Sequence, residues 1–204
     1  MLARVVGVLL AGGQSRRMGG GDKGFRLLGG VPILNRVIER FRPQVGRLVI
    51  NANGDPKRFA STGLPVAADT VEDFPGPLAG VLAGFDWAAA NVPHALWIAT
   101  VATDAPFIPR DLVARMIIAT EEGAELVCAS SHGRAHPVIG LWATRLRNDL
   151  RRAVVEESIR KVDVWTARHR LAVVDFAVDP VDPFFNVNTP EDLAAAERLV
   201  APPA

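Results

Sequence analysis

A single cysteine, Cys128, stands in a chain of 204 residues, so no intramolecular disulfide can form. There is no C-x-x-C pair either, which removes a cysteine-rich zinc site, and the thiol usage fits a reducing cytosol. An excess of either charge is also missing. Lys plus Arg total 23 against 22 Asp plus Glu, which excludes the general basic field that non-specific nucleic-acid binding draws on. Any anion site must therefore be local. No stretch approaches the ~18 apolar residues of a membrane span. The run at 5–11, behind Arg4, is short for a signal sequence and leads straight into Arg16 and Arg17, so the chain is expected to be cytoplasmic.

What is present is a core and an alternation. A hydrophobic content of 49% is ample for one sizeable core. Residues 5–10 form a continuous aliphatic run, expected to be a strand buried on both faces. Ile33, Leu34, Val37, Ile38 and Phe41 then repeat at helical spacing. Short strands are expected at 47–51, 65–68, 95–103 and 125–130, with helices at 76–90 and 109–122 between them. This alternation predicts an α/β domain with a largely parallel sheet and right-handed crossovers. Further on, 136–142 and 171–176 suggest strands and 144–157 a helix. Thr189 followed by Pro190, Glu191 and Asp192 supplies an N-cap, a proline at the first helical position and acids in the first turn. The four tryptophans, Trp87, Trp97, Trp142 and Trp165, are expected to pack rather than to line a cofactor site.

The most informative stretch is LLAGGQSRRMGGGDKG at 9–24, directly behind the first strand. Ligands of open α/β sheets bind at the carboxyl ends of strands, where this loop emerges. Its glycines let backbone N–H groups approach an anion, and Arg17 and Lys23 add mobile positive charge, so phosphate is the natural guest. It is not a P-loop, because Lys23 is followed by Gly24 and not by Ser or Thr. The dinucleotide fingerprint fails too, since Gly12 and Gly13 are adjacent and the next glycine is Gly19.

The stretch Leu10-Ala11-Gly12-Gly13, then Arg17-Met18-Gly19, then Asp22-Lys23, resembles the signature of the molybdenum cofactor guanylyltransferase family. Further segments follow in the family's order: Asn51-Ala52-Asn53, Asp69, the run 75–80 (PGPLAG), Asp104 with Pro106, Arg134 with His136-Pro137, and Asn186-Val187-Asn188-Thr189-Pro190. The resemblance spans nearly the whole chain. It implies a single three-layer, Rossmann-like α/β nucleotidyltransferase domain over 1–204, with a mostly parallel central sheet. Residues 1–110 would form the nucleotide-binding half and 111–200 the molybdopterin-side half. The implied reaction transfers GMP from GTP to the terminal phosphate of molybdenum-loaded molybdopterin and releases pyrophosphate.

Both reactants are anions, so a divalent ion and fixed donors are needed to offset their repulsion. Asp104, at the end of the most apolar strand, is the expected Mg²⁺ ligand; the family often has Pro-Cys before this aspartate, where this chain has Ala102-Thr103. Lys23 is expected on the nucleotide phosphates with Arg17 assisting, and the amides around Leu10, Ala11, Gly12 and Gly13 serve as neutral donors. Asn51 and Asp69 are expected to line the nucleotide site, where an aspartate accepts from guanine N1–H and N2–H₂. Arg134, His136, Asn186 and Asn188 are expected to face the molybdopterin, and contact with molybdoenzymes or their chaperones is an expected partnership. Three alternatives stay open: CTP in place of GTP on the same pterin, a sugar-1-phosphate nucleotidylyltransferase, and a GTP- or molybdopterin-binding carrier without turnover. The segments 51–53 and 186–190 resemble the guanylyl branch more than the cytidylyl one.

Overall fold

A computed structural model describes residues 1–11, 23–71 and 76–200. In chain order its elements are β1 (Val5–Leu10), the short hairpin β2 (Leu27–Leu28) and β3 (Val31–Pro32), α1 (Ile33–Phe41), β4 (Arg47–Asn51), β5 (Val66–Ala67), α2 (Pro77–Asn91), β6 (Trp97–Ala102), α3 (Leu112–Ile118), β7 (Leu126–Ser131), β8 (Arg134–Ala143), α4 (Arg147–Val155), α5 (Val162–Thr166), β9 (Leu171–Phe176) and α6 (Pro190–Val200). Seven strands join in one sheet in the order β5-β4-β1-β6-β8-β7-β9. All its pairings are parallel except those of β8, which runs antiparallel to both β6 and β7.

Side-chain alternation along β1 divides the core into two layers. Val5 and Leu9 join Leu34, Val37 and Phe41 of α1 and Leu112, Val113 and Met116 of α3 on one face. Val6 and Val8 join Leu78, Val81 and Leu82 of α2, Leu150 of α4 and Trp165 of α5 on the other. A third cluster, Leu28, Ile33, Val187 and Ala196, seats α6 on the small hairpin. Of the tryptophans, Trp142 and Trp165 are buried and stack at 6.0 Å between ring centroids.

Most expected elements are present, and the differences have local causes. The helix expected at 109–122 shrinks to α3, because the buried side chain of Gln44 reorganises its start. Gln44 Nε2 donates to the carbonyls of Arg40 and Pro109 at 2.8 Å, and its Oε1 accepts from Val113 N–H at 3.0 Å. The helix expected at 144–157 begins with a 3₁₀ turn, Thr144–Leu146, before α4. The strand at 136–142 extends to Arg134–Ala143 and closes a hairpin with β7 through His132 and Gly133. Both hold positive φ, 52° and 71°, as a tight two-residue turn requires. Hairpin β2–β3 and α5 are additional. The Thr189 cap is present: its Oγ1 accepts from Asp192 N–H at 3.1 Å while Asp192 Oδ2 accepts from Thr189 N–H at 2.9 Å.

Candidate functional site

The chain builds β1, β4 and β5 toward one edge and then returns to place β6 on the other side of β1. That reversal makes the carboxyl ends of β1 and β6 a topological switch point, the place where ligands of open α/β sheets bind. Leu10 lies opposite Asn51 on one side and Ala102 on the other, so three strand ends meet there. Ala11 N–H donates to the Asn51 carbonyl at 2.9 Å, and the chain beyond it enters the glycine loop. Gly12, Gly13 and Arg17 lie outside the described residues, as does the side chain of Lys23, whose backbone opens a 3₁₀ turn.

Asn51 and Asp69 come together as one polar cluster, joined by Asn53. Asn51 is 4% exposed, and its Nδ2 donates to the Ala67 carbonyl at 3.2 Å and to Asp69 Oδ1 at 2.9 Å. Asn53 Nδ2 donates to Asp69 Oδ2 at 2.7 Å, and Asp69 N–H returns a bond to Asn53 Oδ1 at 2.8 Å. Each carboxylate oxygen of Asp69 is thus held by one amide and keeps further acceptor capacity. Asn51 spends both amide protons inside the protein, so its part is to hold Asp69. The α2 helix supports this from behind at Gly80, where a β-carbon would collide with Asn51 Oδ1.

Asp104 follows β6 at the same edge and is half-buried, and its carbonyl accepts from Val187 N–H at 2.9 Å. This bond lays the 182–188 segment, which has crossed back over the sheet from β9, beside the end of β6. Asn188 is half-buried next to it and Asn186 is exposed. Among the described residues no three His, Cys, Asp or Glu side chains cluster as a ready-made metal site. A divalent ion at Asp104 would therefore share its coordination with substrate phosphates and water, which is how Mg²⁺ is usually held.

Arg134 and His136 sit two residues apart on β8, hence on the same face of the strand. A bulge aims them at the rim: Cys128 pairs with Gly140 while Ala129 pairs with His136, leaving 137–139 as extra residues. His136 is half-buried. Burial lowers its pKa below the ordinary value, the carboxylate of Asp182 pulls it up, and Arg134 pushes it down again, so the imidazole is neutral at pH 7. Its Nε2 lies 2.7 Å from Ser131 Oγ, which in turn donates to Asp182 Oδ1 at 2.8 Å. The ring rests on Phe184, 4.8 Å between centroids. Although His132 and His136 are four residues apart, the hairpin turn separates their roles, and no helix face brings them together.

Ser131 and Asp182 were not among the residues singled out from sequence, and Asn53 was named there only within the segment 51–53, with no role of its own. Asn53 had a signal in its i, i+2 spacing from Asn51 just past a strand. Ser131 and Asp182 are 51 positions apart and carried none.

An open α/β sheet with a clamped carboxylate and a second carboxylate at its switch point, and a glycine-rich sequence directly after its central strand, defines a nucleotide-handling enzyme of the nucleotidyltransferase class. The comparisons agree. A family model described as the MobA-like NTP transferase domain matches residues 7–171. A protein of Nitrobacter hamburgensis named molybdenum cofactor guanylyltransferase is 58% identical over 196 residues, covering 96% of this chain and 94% of its own. Among solved structures, molybdopterin-guanine dinucleotide biosynthesis protein A of Archaeoglobus fulgidus shares the fold with a TM-score of 0.72 at 24% identity, covering 96% and 97% of the two chains. A Mycobacterium tuberculosis protein solved in complex with manganese gives 0.68 at 18% identity, covering 96% and 99%. The chain belongs to the molybdenum cofactor guanylyltransferase family and is a nucleotidyltransferase. No helix among the described residues is long and apolar enough to cross a membrane.

Proposed function

We propose that this protein transfers GMP from GTP to the terminal phosphate of molybdenum-loaded molybdopterin, releasing pyrophosphate, with 1–110 as the nucleotide half and 111–200 as the pterin half of one domain. The observation that carries the choice of base is the clamped Asp69 carboxylate. Guanine presents two donors side by side, N1–H and N2–H₂, and a fixed carboxylate presents two acceptors side by side. Cytosine and adenine each offer only one donor group on that edge.

In the reaction a terminal phosphate oxygen of the pterin forms a bond to the α-phosphorus of GTP, and the bond from that phosphorus to the β-phosphate bridge oxygen breaks. Lys23, Arg17 and the amides from Leu10 to Gly13 hold the nucleotide phosphates, so that charge moving onto pyrophosphate is met by donors already in place. Asp104 is the residue that would hold Mg²⁺, which when bound neutralises phosphate charge and fixes the geometry of displacement. Arg134 receives the anionic end of the second substrate, and His136, Asn186 and Asn188 line its path.

The test is pyrophosphate release by the purified protein with Mg²⁺ and molybdenum-loaded molybdopterin, comparing GTP, CTP and ATP, with Asp104→Ala as the control. Release with GTP alone, lost in the variant, supports the proposal. Preference for CTP moves the protein to the cytidylyl activity, and nucleotide binding without release marks a carrier.

A further inference from the structure

The pterin-side residues contain a hydrogen-bond relay, Asp182–Ser131–His136, that the proposed reaction does not by itself require. Ser131 is 1% exposed and has one proton to donate. Asp182 Oδ1 takes that proton at 2.8 Å and also accepts from Phe184 N–H at 2.9 Å, one bond for each of its lone pairs. With its proton directed at Asp182, Ser131 Oγ faces His136 as an acceptor, and a neutral imidazole 2.7 Å away must then carry its proton on Nε2. Nδ1 is left with a lone pair. It has no hydrogen bond within the described residues, and no unpartnered side-chain nitrogen among them is sealed from solvent, so Nδ1 reaches solvent.

We infer that Ser131 and Asp182 are positioning residues that lock His136 as a hydrogen-bond acceptor, through Nδ1, for an N–H donor of the second substrate's heterocycle. This rests on the proposal that His136 faces that substrate. A lone pair aimed outward repels a phosphate oxygen, so His136 is not a phosphate ligand. That task falls to Arg134, two residues earlier on the same face. The strand thereby divides the second substrate between a cation for its anionic end and an acceptor for its ring. The ring contact with Phe184 and the Phe184 N–H bond to Asp182 fix the imidazole plane against the same loop.

Two measurements test this. In the free protein, proton–nitrogen correlation spectra of isotope-labelled histidine should show one His136 ring proton, on Nε2 and protected from exchange. A proton on Nδ1, or one shared between both nitrogens, overturns the relay. In kinetics, Ser131→Ala should lose that protection and raise the KM for the second substrate about tenfold, leaving kcat and the KM for GTP within about twofold. Asp182→Ala should do the same. Asp182→Asn should restore the parent values, because the amide oxygen, oriented by Phe184 N–H, still accepts from Ser131. An unchanged KM in Ser131→Ala, or an Asp182→Asn protein as impaired as Asp182→Ala, also overturns the inference. Failure of the parent protein to transfer GMP to any pterin sinks the functional proposal instead, and the spectra still decide the relay.

Discussion

Replacing Gly80 by alanine should weaken both the fold and the nucleotide site, against the usual effect of that change in a helix. Removing a mid-helix glycine ordinarily stabilises by about 1 kcal/mol. Here the new β-carbon would overlap Asn51 Oδ1 and stand 2.9 Å from Leu10 Cδ2 and 3.3 Å from Asn51 Cγ. Asn51 is 4% exposed and bonded to Ala67 and Asp69, so it has no room to retreat without giving up those bonds. Overpacking costs about 1–3 kcal/mol, and a lost hydrogen bond to a charged group roughly 1.5–3. After the helix gain is subtracted, the net loss is about 1.5–5 kcal/mol, or a fall in Tm of roughly 3–20 °C for a chain of this size. Loss of one amide clamp on Asp69 should raise the KM for GTP about tenfold. Gly84→Ala is the matched control: its β-carbon meets Val8 Cγ2 at 2.7 Å and Ile98 Cδ1 at 3.4 Å, all apolar and away from the site. It should destabilise with the KM for GTP unchanged. Urea titration and initial-rate kinetics on the pair decide the matter, and a Gly80→Ala protein that is more stable than its parent, with GTP affinity intact, would refute the reasoning.

Three further outcomes are expected. Asp104→Asn should reduce pyrophosphate release by about 10²–10³-fold while keeping the Val187 bond, which is made to the backbone carbonyl; divalent-ion titration of the residual rate should lose its saturation. Gln44→Leu removes three bonds, two of which tie the turn after α1 to the start of α3, and should cost roughly 2–4 kcal/mol by urea titration; a loss under about 0.5 kcal/mol would mean that the Pro109 loop finds other partners. For Asp86, burial pushes the carboxyl pKa up, but bonds from Arg147, Thr70 and Arg151 more than offset it and hold the group below its ordinary value. The resulting stability is complete above about pH 4 and is lost as pH falls through the lower folded value. Asp86→Asn should therefore be about 1–2 kcal/mol less stable than the parent at pH 7, the half-exposed arginines being partly screened, and the difference should close as pH falls below the lowered folded pKa.

Where local pattern and tertiary demand coincide, the chain could be read directly. The runs 5–10, 47–51 and 171–176 become strands with those same ends, because each is a short stretch rich in aliphatic residues, and the sheet asks for nothing else there. The placement of Asn51, Asp69 and Asp104 on one edge follows for the same reason: each lies at or just past a strand end, and in a parallel sheet those ends converge. What could not be read depends on pairings that no window of sequence contains. Gln44 shortens α3 from 69 residues away, and the 182–188 segment reaches Asp104 and Ser131 only by crossing back over the finished sheet. Periodicity reports which face of an element is apolar; it does not report which loop returns to cover the element's end. Asp182 lies in VDPVDPFF, where prolines and aspartates suggest a turn and nothing more. Its role comes from a partner whose own position is set by the β7–β8 hairpin. Cooperation of this kind places substrate-facing side chains more tightly than any one element could, so the residues hardest to read are those on which the orientation of His136 depends.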